Sequence, residues 1–310
     1  MTDAPGMPGG GGTTDSTAAA GETPPGGVRI DAHHHVWDLD VRPQSFLAAF
    51  PSIHRTFLLD ELEPLLADAG VDGTVLIQVD AVTAETEEFL ALAAREPVIR
   101  GVVGWVDLTS GAVSEEIDRL RTLPGGDLLV GIRSLVESEA DPRWLLRDDV
   151  LDGLRALAGA GLVFDLLVTH DQLPAAVEVV GLVPELRFVL DHLGKPPIAA
   201  GRLDPWREQI TALAAYPHVV AKLSGLVTEA GQGWTPETIR PFAAHLLDVF
   251  GPDRVMVGSD WPVCLVGASS YAQVTELHDS LVAHLDPAER AAIRGGTAVR
   301  WYGLGRRPTA

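Results

Sequence analysis

From Val28 onward, short apolar runs alternate with longer segments in which apolar residues recur every three or four positions. The short runs predict buried strands, and the longer segments predict amphipathic helices with one face toward a core. The predicted strands are Val28–His33, Gly73–Val79, Ile99–Val106, Leu128–Ile132, Gly161–Val168, Leu186–Asp191, Val219–Leu223 and Arg254–Gly258. The predicted helices are Leu59–Ala69, Glu85–Arg95, Val113–Leu123, Val150–Ala158, Leu173–Val183, Pro205–Ala215, Pro236–Phe250 and Tyr271–Leu285.

Strands that read as continuous apolar runs are covered on both faces, which is typical of a parallel sheet. Eight β/α units in a chain of 310 residues therefore predict an α/β fold of the (β/α)8 TIM barrel type. The alternative is a doubly wound open sheet, which usually has a glycine-rich phosphate loop after its first strand. Here the first strand runs into His33, His34 and His35 instead, which favours the barrel.

Residues 1–27 are rich in Gly, Pro, Thr and Ala and contain no basic residue, so they predict a disordered tail before a single domain over residues 28–310. The net charge of -20 argues against nucleic acid and anionic membranes as partners. No stretch approaches about 18 consecutive apolar residues, so no membrane span is expected.

The one cysteine, Cys264, allows no intrachain disulfide and favours a reducing compartment, the cytoplasm. Whether the protein forms a homo-oligomer stays open.

The polar residues that end the predicted strands form a regular pattern. In a (β/α)8 barrel the active site lies at the C-terminal ends of the strands. In strand order, the residues found there are His33 to His35, Gln78 and Asp80, Trp105 and Asp107, Arg133, Thr169 and His170, Asp191 and His192, Lys222 and Ser224, and Ser259 to Trp261. Polar residues scattered at random would favour loops at both ends, so this pattern predicts a site at one rim.

The three consecutive histidines divide between two faces if the first strand is regular. Side chains alternate with period two, which places Asp31, His33 and His35 on one face and turns His34 toward the layer between barrel and helices. Two imidazoles pointing into one space can bind a divalent metal or polarise a carbonyl. A surface or core histidine cluster is the alternative interpretation of these residues alone.

The strand-end residues include a set suited to one divalent ion such as zinc: His33, His35, His170, His192 and Asp260. Such an ion would lower the pKa of a water molecule and polarise a substrate carbonyl. Asp260 would accept the proton of the water, and His192 would stabilise the oxyanion or serve the leaving group. Taken singly, each histidine is more readily explained as a core or rim histidine bonded to backbone, and the presence of the whole set at strand ends makes that explanation weaker.

Seven ordered motifs show a resemblance to a known family: Asp31–Trp37, Gly101–Leu108, Gly131–Arg133, Phe164–Leu167, Leu190–Pro197, Lys222–Leu226 and Gly258–Cys264. With these motifs the chain resembles the amidohydrolase superfamily, specifically the amidohydrolase-2 type lactonases related to L-fuconolactonase and L-rhamnonolactonase. The resemblance implies a barrel hydrolase with His33 and His35 as its His-x-His pair, His192 as its sixth-strand histidine and Asp260 as its eighth-strand aspartate.

Two positions depart from the pattern of metal-binding relatives. His170 lies where this lactonase branch often carries other residues, so the alternative is that a fifth-strand ligand is absent. The fourth strand offers Arg133 in place of the lysine that bridges two metals in binuclear relatives. The resemblance therefore implies a site with one divalent metal, zinc being expected, or a metal-independent site.

The remaining rim residues suit a polyhydroxylated or carboxylated lactone: Gln78, Trp105, Arg133, Lys195 and Trp261. Arg133 would bind a carboxylate or carbonyl oxygen, Gln78 would bind hydroxyls, and a tryptophan would stack on a sugar ring. The alternatives are that Arg133 pairs with a rim carboxylate such as Asp107, that Lys195 is solvated, and that the tryptophans fill the core.

The sequence thus predicts a hydrolase that opens a sugar-acid lactone to the hydroxy acid by attack of water on the ester carbonyl. Two alternatives stay open. One is a dicarboxylate lactone hydrolase or decarboxylase of the same superfamily, with Arg133 holding a carboxylate. The other is a relative without catalytic activity that binds a small ligand.

Overall fold

The computed structural model describes Met1 and residues 27–305. The predicted tail over residues 1–27 lies almost entirely outside the described residues and stays a prediction. One sheet contains eight parallel strands in sequence order, β1 to β8. The strands are Ile30–His34, Gly73–Ile77, Ile99–Gly104, Leu129–Ser134, Val163–Leu166, Arg187–Leu190, Val219–Leu223 and Val255–Val257.

Helices follow the strands and cover the sheet. In chain order, the helices α1 to α11 are Leu59–Asp68, Thr83–Arg95, Val113–Arg121, Asp148–Gly159, Leu173–Leu182, Trp206–Ala214, Leu226–Ala230, Pro236–Phe250, Tyr271–Val282, Pro287–Ala291 and Thr297–Tyr302. A π-helical turn over Ala292–Gly296 joins the last two helices. Within the part of the chain that the structure describes, no helix has both the length and the apolar character needed to cross a bilayer.

The sheet closes on itself between β8 and β1, which confirms the predicted (β/α)8 barrel. The closing hydrogen bonds lie beyond the end of β8. The amide of Asp260 donates to the carbonyl of His33 at 2.8 Å, and the amide of His35 donates to the carbonyl of Trp261 at 2.7 Å. Barrel closure therefore brings the first-strand histidines and the eighth-strand aspartate side by side.

The C-terminal segment fills the opposite end of the barrel. Ala298 and Tyr302 of α11 and the following Leu304 pack with inward-facing residues such as Val163 and Val189 in one buried apolar cluster. The sequence patterns did not predict α10 and α11, because both helices are short, α10 buries no residue, and the apolar residues of α11 cover the end of the barrel. An apolar layer thus closes the barrel at the end opposite the polar strand-end residues.

The first strand departs from regular alternation. The pairing of β1 with β2 shifts register between Asp31 and His34, so period two fails at this point. Asp31 accepts a hydrogen bond from the hydroxyl of Tyr271 in α9, at 3.1 Å, and therefore lies on the helix side of the strand. The prediction that Asp31 shares a face with His33 is wrong for this reason. His34 does point away from the site, and its Nε2 lies 2.9 Å from the hydroxyl of Thr74.

Candidate active site

A cavity of about 280 Å³ opens at the C-terminal ends of the strands. His35, Arg133, His192 and Asp260 line its polar part. Phe46, which belongs to the segment between β1 and α1, lines the apolar part together with Phe50 and Val263. The cavity is large enough for a small ring compound and has polar groups on one side, which is typical of a ligand site.

Three side chains converge at the floor of this cavity. The Nε2 atoms of His33 and His35 are 3.1 Å apart. Asp260 Oδ1 lies 3.7 Å from His33 Nε2 and 3.4 Å from His35 Nε2. The three residues are buried. Two nitrogens and one oxygen therefore face a common point from β1 and from the loop after β8.

This donor set fits a divalent ion of the zinc class. A zinc ion binds nitrogen and oxygen at roughly 2.0–2.2 Å, so neighbouring ligand atoms of a tetrahedron lie about 3.4 Å apart. The three distances between these ligand atoms, 3.1, 3.4 and 3.7 Å, fall around that value. His35 donates from Nδ1 to the carbonyl of Ile77 at 2.9 Å, which leaves the lone pair of its Nε2 directed at the cluster. His33, Asp191 and His192 form a second group whose nitrogen and oxygen atoms lie close enough together to bind a metal ion.

His192 reaches the cluster through an unusual backbone conformation. It follows β6 with φ of 51°, and Asp260 has φ of 59°. Residues other than glycine rarely adopt positive φ, and such strain collects at functional sites. His192 Nδ1 lies 2.9 Å from the hydroxyl of Ser224, and its Nε2 lies 3.9 Å from Asp260 Oδ1. The imidazole is thus directed at the cavity beside the carboxylate.

Burial and charge determine the protonation of these groups. Burial lowers the pKa of His33 well below its usual value, and the Lys222 ammonium lowers it further. Burial also lowers the pKa of His192, although Asp260 opposes this shift. Burial would raise the pKa of Asp260, but His192 and His35 outweigh it and hold that pKa below the ordinary value. The rings of His33 and His192 are therefore neutral near pH 7, and Asp260 is an ionised carboxylate.

Arg133 lies at the cavity wall with most of its N–H groups occupied. Its guanidinium donates to the side-chain oxygen of Gln78 from Nη2 at 3.0 Å and to Asp191 Oδ2 from Nη1 at 3.2 Å. Nη2 also donates to the carbonyl of Gln78. The buried partner carboxylate of Arg133 is Asp191, whereas the rim carboxylate proposed from the sequence, Asp107, is exposed and accepts from Thr109.

Below the cluster, Lys222 is completely buried between two carboxylates. Its Nζ donates to Asp165 Oδ2 at 2.6 Å and lies 3.0 Å from Asp191 Oδ1. Tyr302 reaches up from α11 and donates its hydroxyl to the Asp165 carboxylate. Burial raises the pKa of Asp165 to about 6 against the pull of Lys222. Lys222 Nζ also lies 3.2 Å from His33 Nδ1, so this charged layer directly supports the cluster.

Two carboxylates and a lysine form the upper wall of the cavity. Lys195 forms an ion pair with Glu137, and Glu229 lines the same wall. Burial works to lower the pKa of Lys195, but Glu137 outweighs it and raises that pKa. Burial raises the pKa of Glu229. This position agrees with the prediction that Lys195 faces the site. It does not agree with the alternative, in which Lys195 is a solvated lysine without a partner.

Four residues proposed from the sequence do not line the cavity: Gln78, which is fully buried and bonded to Arg133, and His170, Trp261 and Trp105. His170 is in the turn after β5, its side chain is 28% exposed, and its ring lies 3.7 Å from Asp171; it belongs to neither of the ligand groups found among the described residues. The physical reason is that β5 ends at Leu166, so the chain has already turned away. Trp261 is buried against Phe57 with ring centroids 5.4 Å apart. Trp105 is half-buried and, like Trp261, is not among the residues that line the cavity.

Sequence reasoning named Asp191 and Lys222 as strand-end residues but gave them no role, and it left out four other residues that the structure brings to the site: Glu137, Asp165, Glu229 and Tyr302. A usable signal existed for Asp165 and Lys222, because each is a charged residue inside an otherwise apolar strand, where burial requires a partner. The sequence held no comparable signal for Tyr302, whose helix was not predicted. Glu137 lies in a short 3-10 turn after β4 and Glu229 lies in α7, and the positions of both segments follow from the folded barrel.

A (β/α)8 barrel that gathers a His-x-His pair, a third histidine and an aspartate at its C-terminal face is the architecture of a barrel hydrolase. The chain belongs to the amidohydrolase family, whose sequence model matches residues 30–304. It is 38% identical to the L-fucono-1,5-lactonase of Burkholderia ambifaria over 287 residues, which cover 90% of this chain and 96% of that protein.

Two further relatives come from Burkholderia multivorans. The L-fucono-1,5-lactonase of that organism is 38% identical over 292 residues, with 90% of this chain and 97% of that protein covered. A crystal structure of an amidohydrolase from the same organism, with bound zinc, superposes with a TM-score of 0.84 at 37% identity, covering 90% of this chain and 100% of the other. The predicted family resemblance is thereby confirmed.

Proposed function

We propose that this protein hydrolyses the ester of a sugar-acid lactone and releases the free hydroxy acid. The observation that carries the proposal is the convergence of His33 Nε2, His35 Nε2 and Asp260 Oδ1 at the floor of the cavity. The names of the two Burkholderia relatives support the same class of substrate. The cytoplasm remains our expectation for the location, because Cys264 is buried and unpaired.

His33, His35 and Asp260 would hold one divalent ion, with zinc as our first expectation. When bound, that ion supplies Lewis acidity toward the lactone carbonyl. His192 completes the polar floor of the cavity. His170 has no part in this proposal, because the structure places it away from the three ligand atoms.

The residues of the chain supply the proton transfers. Asp260, held as a carboxylate, accepts a proton from the water that attacks the carbonyl carbon. The neutral ring of His192, oriented by Ser224, donates from Nε2 to the oxygen on which negative charge develops. The ring C–O bond of the lactone then breaks, and the proton held by Asp260 passes to the leaving oxygen to form the hydroxyl group.

The charge of the cavity favours a neutral polyhydroxylated substrate over a dicarboxylate. Arg133 is bonded to Gln78 and Asp191, and Lys195 is paired with Glu137, so these two cations already have anionic or polar partners. Asp80 and Glu229 add negative charge to the lining. Carboxylate oxygens accept hydrogen bonds from sugar hydroxyls, whereas they repel a second substrate carboxylate.

The test is an assay of acid release from a panel of aldonolactones, with a pH indicator, on protein treated with chelator and then supplied with zinc. We expect acid release from hydroxylated lactones that falls after chelation and returns with zinc. No acid release from any lactone, with zinc present, would overturn the proposal. Release of carbon dioxide from an aromatic dicarboxylate would favour the decarboxylase alternative, and binding without turnover would favour the ligand-binding relative.

A further inference from the structure

We propose that Lys222 sets the tautomer of the His33 ring and thereby weakens the affinity of the cluster for a divalent ion. The inference concerns the ligand set of the proposed function but goes beyond it, because it assigns a role to a buried lysine that does not touch the substrate cavity. The basis of the inference is the hydrogen-bonding character of the atoms around His33: some of them can only donate a hydrogen bond, and others can only accept one.

Lys222 presents only donors to its surroundings. Paired with two carboxylates, it is an ammonium group with three N–H bonds and no lone pair. It donates to Asp165 at 2.6 Å, and its Nζ lies 3.2 Å from His33 Nδ1. A hydrogen bond between Lys222 and this ring therefore requires Nδ1 to accept, and a neutral imidazole that accepts at Nδ1 carries its proton on Nε2.

The other side of the ring leads to the same tautomer. His35 donates from Nδ1 to the carbonyl of Ile77, so its Nε2 is a bare acceptor. His33 Nε2 lies 3.1 Å from this atom, and two lone pairs at that distance would repel each other. A proton on His33 Nε2 turns the contact into a hydrogen bond. Arg133 Nη1 also lies 3.4 Å from His33 Nε2 and can only donate, so this contact favours a bare Nε2. It is longer than the contacts of the ring with His35 at 3.1 Å and with Lys222 at 3.2 Å, and Nη1 has a shorter partner in Asp191 Oδ2 at 3.2 Å.

A divalent ion at the cluster needs the opposite tautomer, because only a bare Nε2 is a ligand. The proton must then lie on Nδ1, and the structure contains an acceptor for it. Asp191 Oδ1 is 3.4 Å from His33 Nδ1 and 3.0 Å from the Lys222 ammonium, and among the described residues it forms no hydrogen bond of normal geometry. This carboxylate oxygen can therefore accept the ring proton when His33 binds an ion.

Lys222 and Asp191 therefore act in opposite directions on one ring. Lys222 stabilises the form with the proton on Nε2, and Asp191 stabilises the form with the proton on Nδ1. The His33 ring stays neutral in both forms. Its single proton lies on Nε2 in one form and on Nδ1 in the other, and no other group changes its protonation. Both are positioning residues, since each acts on the reaction only through His33.

The first test is a long-range proton–nitrogen correlation spectrum of protein labelled with nitrogen-15 at histidine and freed of metal. The His33 signals are assigned by their loss in a His33→Gln variant. We expect Nε2 of His33 to carry the proton in the metal-free protein and Nδ1 to carry it after zinc is added. A proton on Nδ1 in the metal-free protein would overturn the proposal. The measurement uses no substrate, so its failure is distinct from failure of the lactonase proposal.

The second test measures the zinc dissociation constant of two variants by competition with a chelator. Lys222→Met removes the donor to Nδ1, so we expect binding tighter by about tenfold and a shift of the metal-free ring to the Nδ1 proton. Asp191→Asn removes the anionic acceptor, so we expect binding weaker by about tenfold. If both variants bind zinc more tightly than the wild type, or both bind it more weakly, the proposal is contradicted.

The matched control is Lys195→Met, which removes the chain's other lysine but no contact with His33. We expect this variant to keep the proton of metal-free His33 on Nε2. A shifted tautomer in Lys195→Met would mean that loss of charge alone moves the proton, which contradicts the role given to Lys222. If Lys222→Met does not fold, the wild-type spectrum and the Asp191→Asn variant still decide the question.

Discussion

Gly225 lies directly against the ring of His192. A Cβ placed on Gly225 would stand 2.8 Å from ring atoms of His192, and the residue has φ of +66°, where side chains are disfavoured. A Gly225→Ala variant must therefore displace the imidazole as well as strain the backbone. We expect kcat to fall by about tenfold or more, since misplacement of a reacting group by about 1 Å is costly.

The matched control for that variant is Gly201→Ala. Gly201 has φ of +62°, and a Cβ at this position would meet nothing within 4 Å. Both variants should lose about 1 kcal/mol of unfolding free energy through backbone strain. Only Gly225→Ala should lose activity. An equal loss of activity in Gly201→Ala would show that strain, and not the position of His192, is responsible.

Ser224 orients His192 through the contact between its hydroxyl and Nδ1, which is 2.9 Å long. Removal of this hydroxyl in Ser224→Ala frees the imidazole to rotate without emptying much volume. We expect kcat to fall by about tenfold with KM nearly unchanged, since partners that orient catalytic side chains have effects of this size. Steady-state kinetics on a lactone substrate provide the measurement. An increase in KM alone would place Ser224 in substrate binding instead.

Glu85 gives a pH dependence of stability that is separate from catalysis. One of its oxygens accepts from the amides of Val79 and Asp80 at 2.7 and 2.8 Å, and burial raises its pKa to about 7. Between the ordinary value of 4.5 and about 7, the folded state holds a proton that the unfolded state has lost. The contribution of Glu85 to stability is thus complete below pH 4.5 and is lost as pH rises through 7.

A Glu85→Gln variant keeps the accepting oxygen but cannot ionise. We expect it to be more stable than the wild type above pH 7, by on the order of 3 kcal/mol, and similar to it near pH 4.5. Urea unfolding of both proteins across this range checks the expectation. A stability difference that does not change with pH would contradict it.

Glu229 tests whether the upper wall of the cavity recognises hydroxyl groups. In Glu229→Gln the side chain keeps its size and loses its negative charge. We expect KM for a hydroxylated lactone to rise by about tenfold with kcat unchanged, because hydrogen bonds to charged groups are the stronger ones. The KM for an unsubstituted lactone of the same ring size should stay the same. Equal effects on both substrates would argue against recognition of hydroxyls.

The barrel and the central residues of the candidate site could be predicted from the sequence because both follow from local patterns. Apolar runs define the strands, and His33, His35, His192 and Asp260 stand at their ends. The position of Asp31 could not be predicted, since a bulge in β1 breaks the alternation. His170 was misplaced because β5 ends earlier than its apolar run. The charged layer around Lys222 depends on contacts between residues such as Asp165 and Tyr302, which lie 137 positions apart.

The most direct test of the account is the rate of lactone hydrolysis by Asp260→Asn, measured with zinc present at saturation. Asp107→Asn serves as control, because Asp107 is an exposed carboxylate in the loop after β3. We predict that Asp260→Asn lowers kcat/KM by at least about 100-fold, whereas Asp107→Asn leaves it unchanged. Hydrolysis by folded Asp260→Asn at nearly the wild-type rate would contradict the assignment of this carboxylate as the base and the site built around it.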